Sequence, residues 1–173
     1  MLNSQLPNDP PGTILVSKCL VGHPCRYDGK TKTAPRVEAF LKKIESDGLH
    51  WTPVCPEELG GLGTPRPPAH LTGGDGRKVW ENGAHVTRVH DGKDVTQAFM
   101  KGARRALEMG GEHILFAILK ARSPSCGSGE TTIEGQRAKG DGVFTALLKK
   151  NKISVTTDEN MEIPRGICGE DGE

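Results

Sequence analysis

The sequence predicts an α/β protein built on a doubly wound, mostly parallel sheet, and three observations carry that prediction. Short apolar runs of strand character come just before Cys19, Cys55 and Cys126. Helical patterns lie between those runs, and a helix between two strands returns the chain for parallel pairing. The run from His113 to Leu119 is almost continuously apolar, as a central strand covered on both faces must be.

Each element follows in order. Thr13 to Lys18 reads as the first strand, and Cys19 to Ala34 as a loop. Pro35 suits a first helical turn, where its missing N–H costs nothing. Val37, Phe40, Leu41 and Ile44 then form an apolar face at helical spacing, and Gly48 ends the helix. His50 to Val54 is a second strand, leading into a shaped loop from Cys55 to Pro68. Arg77–Trp80 and Ala84–Val89, joined at Asn82-Gly83, predict a small β-hairpin. Asp94 and Gln97 resemble a capping box that starts a helix over 95–109, stopped by Gly110-Gly111. The third strand, 113–119, follows. Residues 128–140 are polar and read as a short excursion. Asp141 is placed to cap a helix over 142–150, and Ile153 to Thr156 supplies a fourth strand.

This pattern is a flavodoxin-like or Rossmann-like single domain with a hairpin insertion. The expected strand order is 2-1-3-4. The predicted division is a loose N-terminal arm over 1–12, the α/β domain over 13–156 and a C-terminal tail over 157–173. In such a sheet, ligands bind at the carboxyl edge of the strands. The order 2-1-3-4 therefore makes Cys19, Cys55 and Cys126 neighbours.

Composition narrows the partners. The net charge is +1 and aromatics are 4%, so neither a polyanion-binding surface nor a base-stacking platform is announced. No apolar run reaches the roughly 20 residues of a membrane span. Residues 1–11 lack the order of a signal peptide. The expectation is a cytoplasmic protein, whose thiols stay reduced. Five cysteines then point to metal or chemistry rather than to disulfides.

Three thiolates from distant loops suit a metal or iron–sulfur site. Two ligand sets are open. One is a closed four-cysteine site that also uses Cys25, and the other is a three-cysteine site with one open metal position. No close C-x2-C pair of the kind found in structural zinc sites occurs. Cys168 lies in the tail and reads as a free or structural thiol. Glu57, two residues after Cys55 and preferred to Glu58, is a candidate acid or base. Ser123 and Ser125 flank Pro124 before Cys126, placed either to hold a substrate or water or to bond the turn. Arg26, Arg66 and Arg122 each sit in a cysteine loop, placed to offset thiolate charge or to hold an anionic group. The six histidines are scattered and read as structural or surface residues. Gly60-Gly61-Leu62-Gly63 lacks the ending of a phosphate loop.

Three strings together resemble one family. They are Val16-Ser17-Lys18-Cys19-Leu20-Val21-Gly22 with Cys25-Arg26-Tyr27-Asp28-Gly29; Cys55-Pro56-Glu57-Glu58-Leu59-Gly60-Gly61-Leu62 with Thr64-Pro65-Arg66-Pro67-Pro68; and Lys120-Ala121-Arg122-Ser123-Pro124-Ser125-Cys126-Gly127. They closely resemble the thiouracil desulfidase family, over about 13–156. The resemblance implies a [4Fe-4S] cluster held by three cysteines, Cys19, Cys55 and Cys126, with one open iron. It implies removal of sulfur from 2-thiouracil or 4-thiouracil to give uracil and sulfide, without net redox change. The cluster would serve as Lewis acid and sulfur acceptor. Glu57 would activate water or move protons, and Ser123 would position the base or the water. Arg26, Arg66 and Ser125 are the substrate-binding candidates. The expected partner is a small thiolated pyrimidine. Two alternatives stand beside it: 4-thiouridine in tRNA, or its nucleoside, as substrate, and a non-catalytic zinc or iron–sulfur module.

Overall fold

The computed structural model describes residues 12–167; the expected arm before Gly12, and Cys168, lie outside them. Two four-stranded sheets make up the framework. Sheet A contains β1 (Thr13–Ser17), β2 (His50–Val54), β5 (Ile114–Leu119) and β8 (Val155–Thr157), in the order β2-β1-β5-β8. All its pairs are parallel, so the expected 2-1-3-4 order is the observed one. Pro53 cannot donate to a ladder, and it sits on β2, an edge strand.

Alternation in β1 and β5 divides the core between two faces. Ile14, Val16, Phe116 and Ile118 cluster with Val37, Leu41 and Ile44 of α1 (Pro35–Ser46). Leu15, Ala117 and Leu119 cluster with Phe99, Ala103 and Ala106 of α4 (Thr96–Met109), and with Phe144 and Leu148 of α5 (Val143–Lys150). Helices thus cover both faces, which is what makes the sheet doubly wound.

Sheet B departs from the sequence reading. It contains β3 (Ala69–Thr72), β4 (His85–Arg88), β6 (Glu130–Ile133) and β7 (Gln136–Lys139), in the order β4-β3-β6-β7. The expected hairpin between 77–80 and 84–89 is absent. Its first arm is instead the helix α3 (Gly76–Trp80), whose Lys78 amide is capped by the Asp75 carboxylate. Val79 is buried, and the Trp80 indole N–H donates to the Val143 carbonyl at 2.8 Å. Asn82, at φ 60, ends this helix rather than turning a hairpin. The partner of β4 is β3, antiparallel, with Leu71 opposite Val86. The polar stretch 128–140 is the β6–β7 hairpin, turned at Glu134-Gly135.

Two caps also differ in detail. Asp94 accepts the Thr96 amide at 2.8 Å, while the residue at the cap of α4 is Val95 and uses no side chain. Gly142 caps α5; Asp141 instead accepts the Gly129 amide and pairs with Lys149.

The short helix α2 (Pro56–Leu59) is pressed against α4. A Cβ on Gly102 would lie 1.7 Å from the Pro56 carbonyl oxygen, and one on Gly60 would lie 2.1 Å from the Ala98 oxygen. Backbone meets backbone, so no side chain can yield. Gly102→Ala must therefore push α2 away and disturb Cys55 and Glu57 with it. The expected cost is about 1–3 kcal/mol, read by denaturant unfolding; a neutral result would show that α2 moves freely.

Candidate functional site: four thiols on one cavity

The carboxyl ends of β1, β2 and β5 open into a cavity of ≈ 630 Å³, within the range of about 300–1,000 Å³ typical of small-molecule sites. Cys19, Cys25, Cys55 and Cys126 all line it, and Glu57, Ser123, Arg26 and Arg66 do too. Ser125 does not. It is 1% exposed, and its carbonyl accepts the Phe144 amide at 2.8 Å, so it serves the joint with α5. Glu58 also lies off the cavity, held by Lys18 and by the Thr64 hydroxyl.

Each cysteine is fixed by local structure. Cys19 sits in a single 3-10 turn, Lys18–Val21, directly after β1. Cys25 follows in the same loop, 3% exposed. Cys55 is the cap residue of α2. Cys126 lies in a loop clamped by α5: the first helical amides, of Val143 and Phe144, donate to the Pro124 and Ser125 carbonyls. These bonds satisfy donors that a helix start leaves open. The Thr145 hydroxyl adds a bond to the Cys126 carbonyl at 2.8 Å.

Arg66, placed among the substrate-binding candidates, turns inward. It is 9% exposed. Its Nε donates to Glu57 at 3.3 Å, Nη1 to the Gly63 carbonyl at 2.9 Å, and Nη2 to the Cys25 carbonyl at 2.9 Å. One guanidinium thus ties the first two cysteine loops and fixes the Glu57 carboxylate. Arg26 pairs with Asp28 and bonds the Thr31 carbonyl. Arg122 pairs with Glu159.

Sequence reasoning missed Ser17, Lys120 and His70, which also line the cavity. Ser17 accepts the Lys120 amide at 2.9 Å, which leaves its own proton for the Cys126 sulfur. The apolar run that signals the strand could have drawn attention to the one polar side chain at its buried end. His70, read as structural or surface, lies on β3, a strand the pattern did not reveal.

The thiols disfavour one another's ionisation. Cys25 is pushed up to about 12, first by its hydrogen bond with Cys19 and then by burial, against an opposing contact with Cys55. Cys55 is also pushed far up, first by its hydrogen bond with Cys25 and then by burial. Burial raises Cys126 to about 12, opposed by the Ser17 and Ser123 hydroxyls. Burial holds Lys120 below the usual lysine range. Soft sulfurs such as those of Cys25, Cys55 and Cys126, held against ionisation, fit a group that supplies positive charge at thiolate sulfur. Among the described residues, no three His, Cys, Asp or Glu side chains are arranged around a single ion. The soft sulfur donor set is of the kind that iron–sulfur groups take.

A raised thiol pKa stabilises the fold below the unfolded value and is lost as pH rises through the folded one. For Cys126 that window runs from 9.0 to about 12. Cluster-free protein should lose thermal stability across this window, and Cys126→Ala, which removes the titrating thiol, should flatten the fall. Identical pH profiles for the two proteins would contradict the burial of this thiol.

Comparison with known proteins agrees with this geometry. Residues 14–160 match the 2-thiouracil desulfurase family. The uncharacterised protein YbbK of Bacillus subtilis (strain 168) is 37% identical over 152 residues, covering 86% of this chain and 97% of that protein. The solved structure of the [4Fe-4S]-dependent thiouracil desulfidase TudS is 39% identical, with a TM-score of 0.67, covering 86% of this chain and 91% of that one. The fold, the gathered cysteines and these matches make this chain a member of the 2-thiouracil desulfurase family.

Proposed function

We propose that this protein is a non-redox, [4Fe-4S]-dependent desulfidase that converts thiolated uracil, 2-thio or 4-thio, to uracil and sulfide. The observation that carries the reading is the convergence of Cys19, Cys55 and Cys126 on one cavity with Glu57 and Ser123. Exchange of C=S for C=O by water leaves the oxidation state of carbon unchanged, and the second product is hydrogen sulfide. No electron donor enters that balance. The proposed catalytic unit spans 13–156, and the proposed compartment is the cytoplasm. Among the described residues, no helix is long and apolar enough to cross a membrane.

Cys19, Cys55 and Cys126 would hold the cluster. When bound, it supplies a Lewis acid at one open iron and a soft acceptor for sulfur. The protein's own groups do the rest. Glu57 is held at Oε1 by Arg66, which orients its carboxylate to take a proton from water. The Ser123 hydroxyl accepts the Cys126 amide at 2.8 Å. That bond fixes the oxygen, whose O–H faces the Cys126 sulfur; its remaining lone pair would accept from the pyrimidine N–H or the water. Cys25 lies in hydrogen-bonding contact with Cys19 and Cys55. In this reading it lines the site without ligating.

A tRNA substrate finds less support. Arg26, Arg66 and Arg122 are each paired with a carboxylate, so at the cavity they offer little to a phosphate backbone, which needs free cations.

Protein purified without oxygen and reconstituted with iron and sulfide should hold about four irons per chain and release sulfide and uracil from 2-thiouracil. Cys19→Ala, Cys55→Ala and Cys126→Ala should each lose the cluster, whereas Cys25→Ala should keep it. Loss of iron from Cys25→Ala alongside retention in Cys19→Ala would reassign the first-loop ligand. Zinc in place of iron, with no sulfide release, would favour a metal-binding module.

Glu57→Gln should keep full iron and lose at least about 10²-fold in kcat, the low end for a positioned proton-transfer group. Normal turnover by this variant would remove Glu57 from the mechanism.

A further inference from the structure

Most charged and hydroxyl side chains that line the cavity are already engaged by the protein. Lys18 pairs with Glu58, Arg26 with Asp28, Arg66 with Glu57 and Arg122 with Glu159. The Lys120 ammonium donates to the Ala121 carbonyl at 2.8 Å. Ser17 and Ser123 accept backbone amides and turn toward the Cys126 sulfur. The Thr132 hydroxyl donates to the Arg122 carbonyl at 3.2 Å.

His70 stands apart from these. It reaches the cavity from β3, in sheet B, whereas the cysteines come from loops at the edge of sheet A. Its Nδ1 is sealed from solvent and has no partner. Nε2 is not among the sealed, unpartnered atoms. In most proteins the bond made by one imidazole nitrogen fixes the tautomer and so the role of the other. No such bond is made by Nδ1 of His70, so its tautomer is open to an occupant of the cavity. Beside the ring is Gly135, at φ +80, which has no side chain; even a Cβ there would stand 3.9 Å from Nδ1.

Resting on the desulfidase reading, we propose that His70 is a substrate-positioning residue that hydrogen-bonds the amide edge of the pyrimidine through Nε2. A neutral imidazole gives a donor or an acceptor according to tautomer. A uracil ring offers both C=O and N–H on adjacent atoms, so one histidine can match either the 2-thio or the 4-thio isomer. The ligand class this favours is a neutral heterocycle with an amide edge, since Lys18, Arg26, Arg66 and Arg122 are each paired with a carboxylate and burial disfavours the charge of Lys120.

The test uses anaerobic, cluster-loaded protein and two probes. Uracil binding is followed by calorimetry, and turnover is followed with 2-thiouracil. His70→Phe keeps a ring and removes both nitrogens; His70→Leu is a second apolar variant should the first fail to fold. His70→Gln restores an amide near the position of Nε2. His70→Phe should weaken uracil binding and raise KM by about tenfold, the loss expected for one hydrogen bond in a desolvated site, with kcat within about threefold. His70→Gln should return both to within about threefold of the native protein. Unchanged uracil binding in both apolar variants would overturn the proposal, as would a His70→Gln protein no better than His70→Phe. Absence of uracil binding by the native protein would overturn it too. The two readings fail separately: uracil binding that depends on His70, without sulfide release from 2-thiouracil, leaves this assignment standing and removes the desulfidase reading.

Discussion

Parallel pairing of β1 between β2 and β5 is the constraint from which the site follows. Ser17 stands opposite Val54, and Val16 opposite Ile118. The chain therefore leaves three adjacent strands at the same edge, and Cys19 and Cys55 follow within two residues of their strand ends. Antiparallel pairing of β1 with either neighbour would send one of those loops to the far end of the sheet. The apolar layers on both faces hold this arrangement: α1 on one side, α4 and α5 on the other. Burial of Phe116, Ile118 and Leu119 at 0% exposure is what makes the register costly to slip, since a one-residue shift would exchange the two faces.

Strand ends alone do not place sulfur atoms, and the loops are stitched by few but buried polar bonds. The Ser17 hydroxyl joins the end of β1 to the chain leaving β5 through the Lys120 amide. Arg66 joins the Cys25 carbonyl, 41 residues away in sequence, to Glu57. A buried guanidinium is tolerated only when its donors are matched, and here two carbonyls, a hydroxyl and a carboxylate match them. The same requirement runs in reverse. Anything that displaced the Cys25 loop would strand the charge of Arg66, so the charge holds the loop in place.

Much of this was legible in the sequence. The three strands that end at cysteines, their helices and the strand order are strong because each run is long, apolar and repeated in one pattern. Sheet B was not legible. β3 is four residues after Pro67-Pro68 with one buried side chain, Leu71, and such a segment carries no periodicity. Asn82-Gly83 signals a hairpin only because asparagine accepts a left-handed backbone; a helix end uses the same property, and the Asp75 cap upstream decides for the helix. Cys25 shows the limit for the site. Its backbone carbonyl is held by a bond from Arg66, which no local pattern contains. His70 was passed over for the same reason, since its role depends on which groups elsewhere are already paired.

That pairing also bears on what the cavity is built to receive. Arginines next to three thiols invite the view that they bind an anion. Their carboxylate partners answer it: Asp28, Glu57 and Glu159 neutralise Arg26, Arg66 and Arg122. The arginines then serve as geometry and not as net charge, with planar donors fixing loops. Lys120 points the same way, since burial disfavours its charge. A site whose cations are neutralised within the protein gains little from a phosphate, and it does not repel an uncharged ring. Discrimination in such a cavity must come from shape and from the few unspent hydrogen bonds. That is a weak basis for holding a long polyanion and would suffice for the flat heterocycle proposed as substrate.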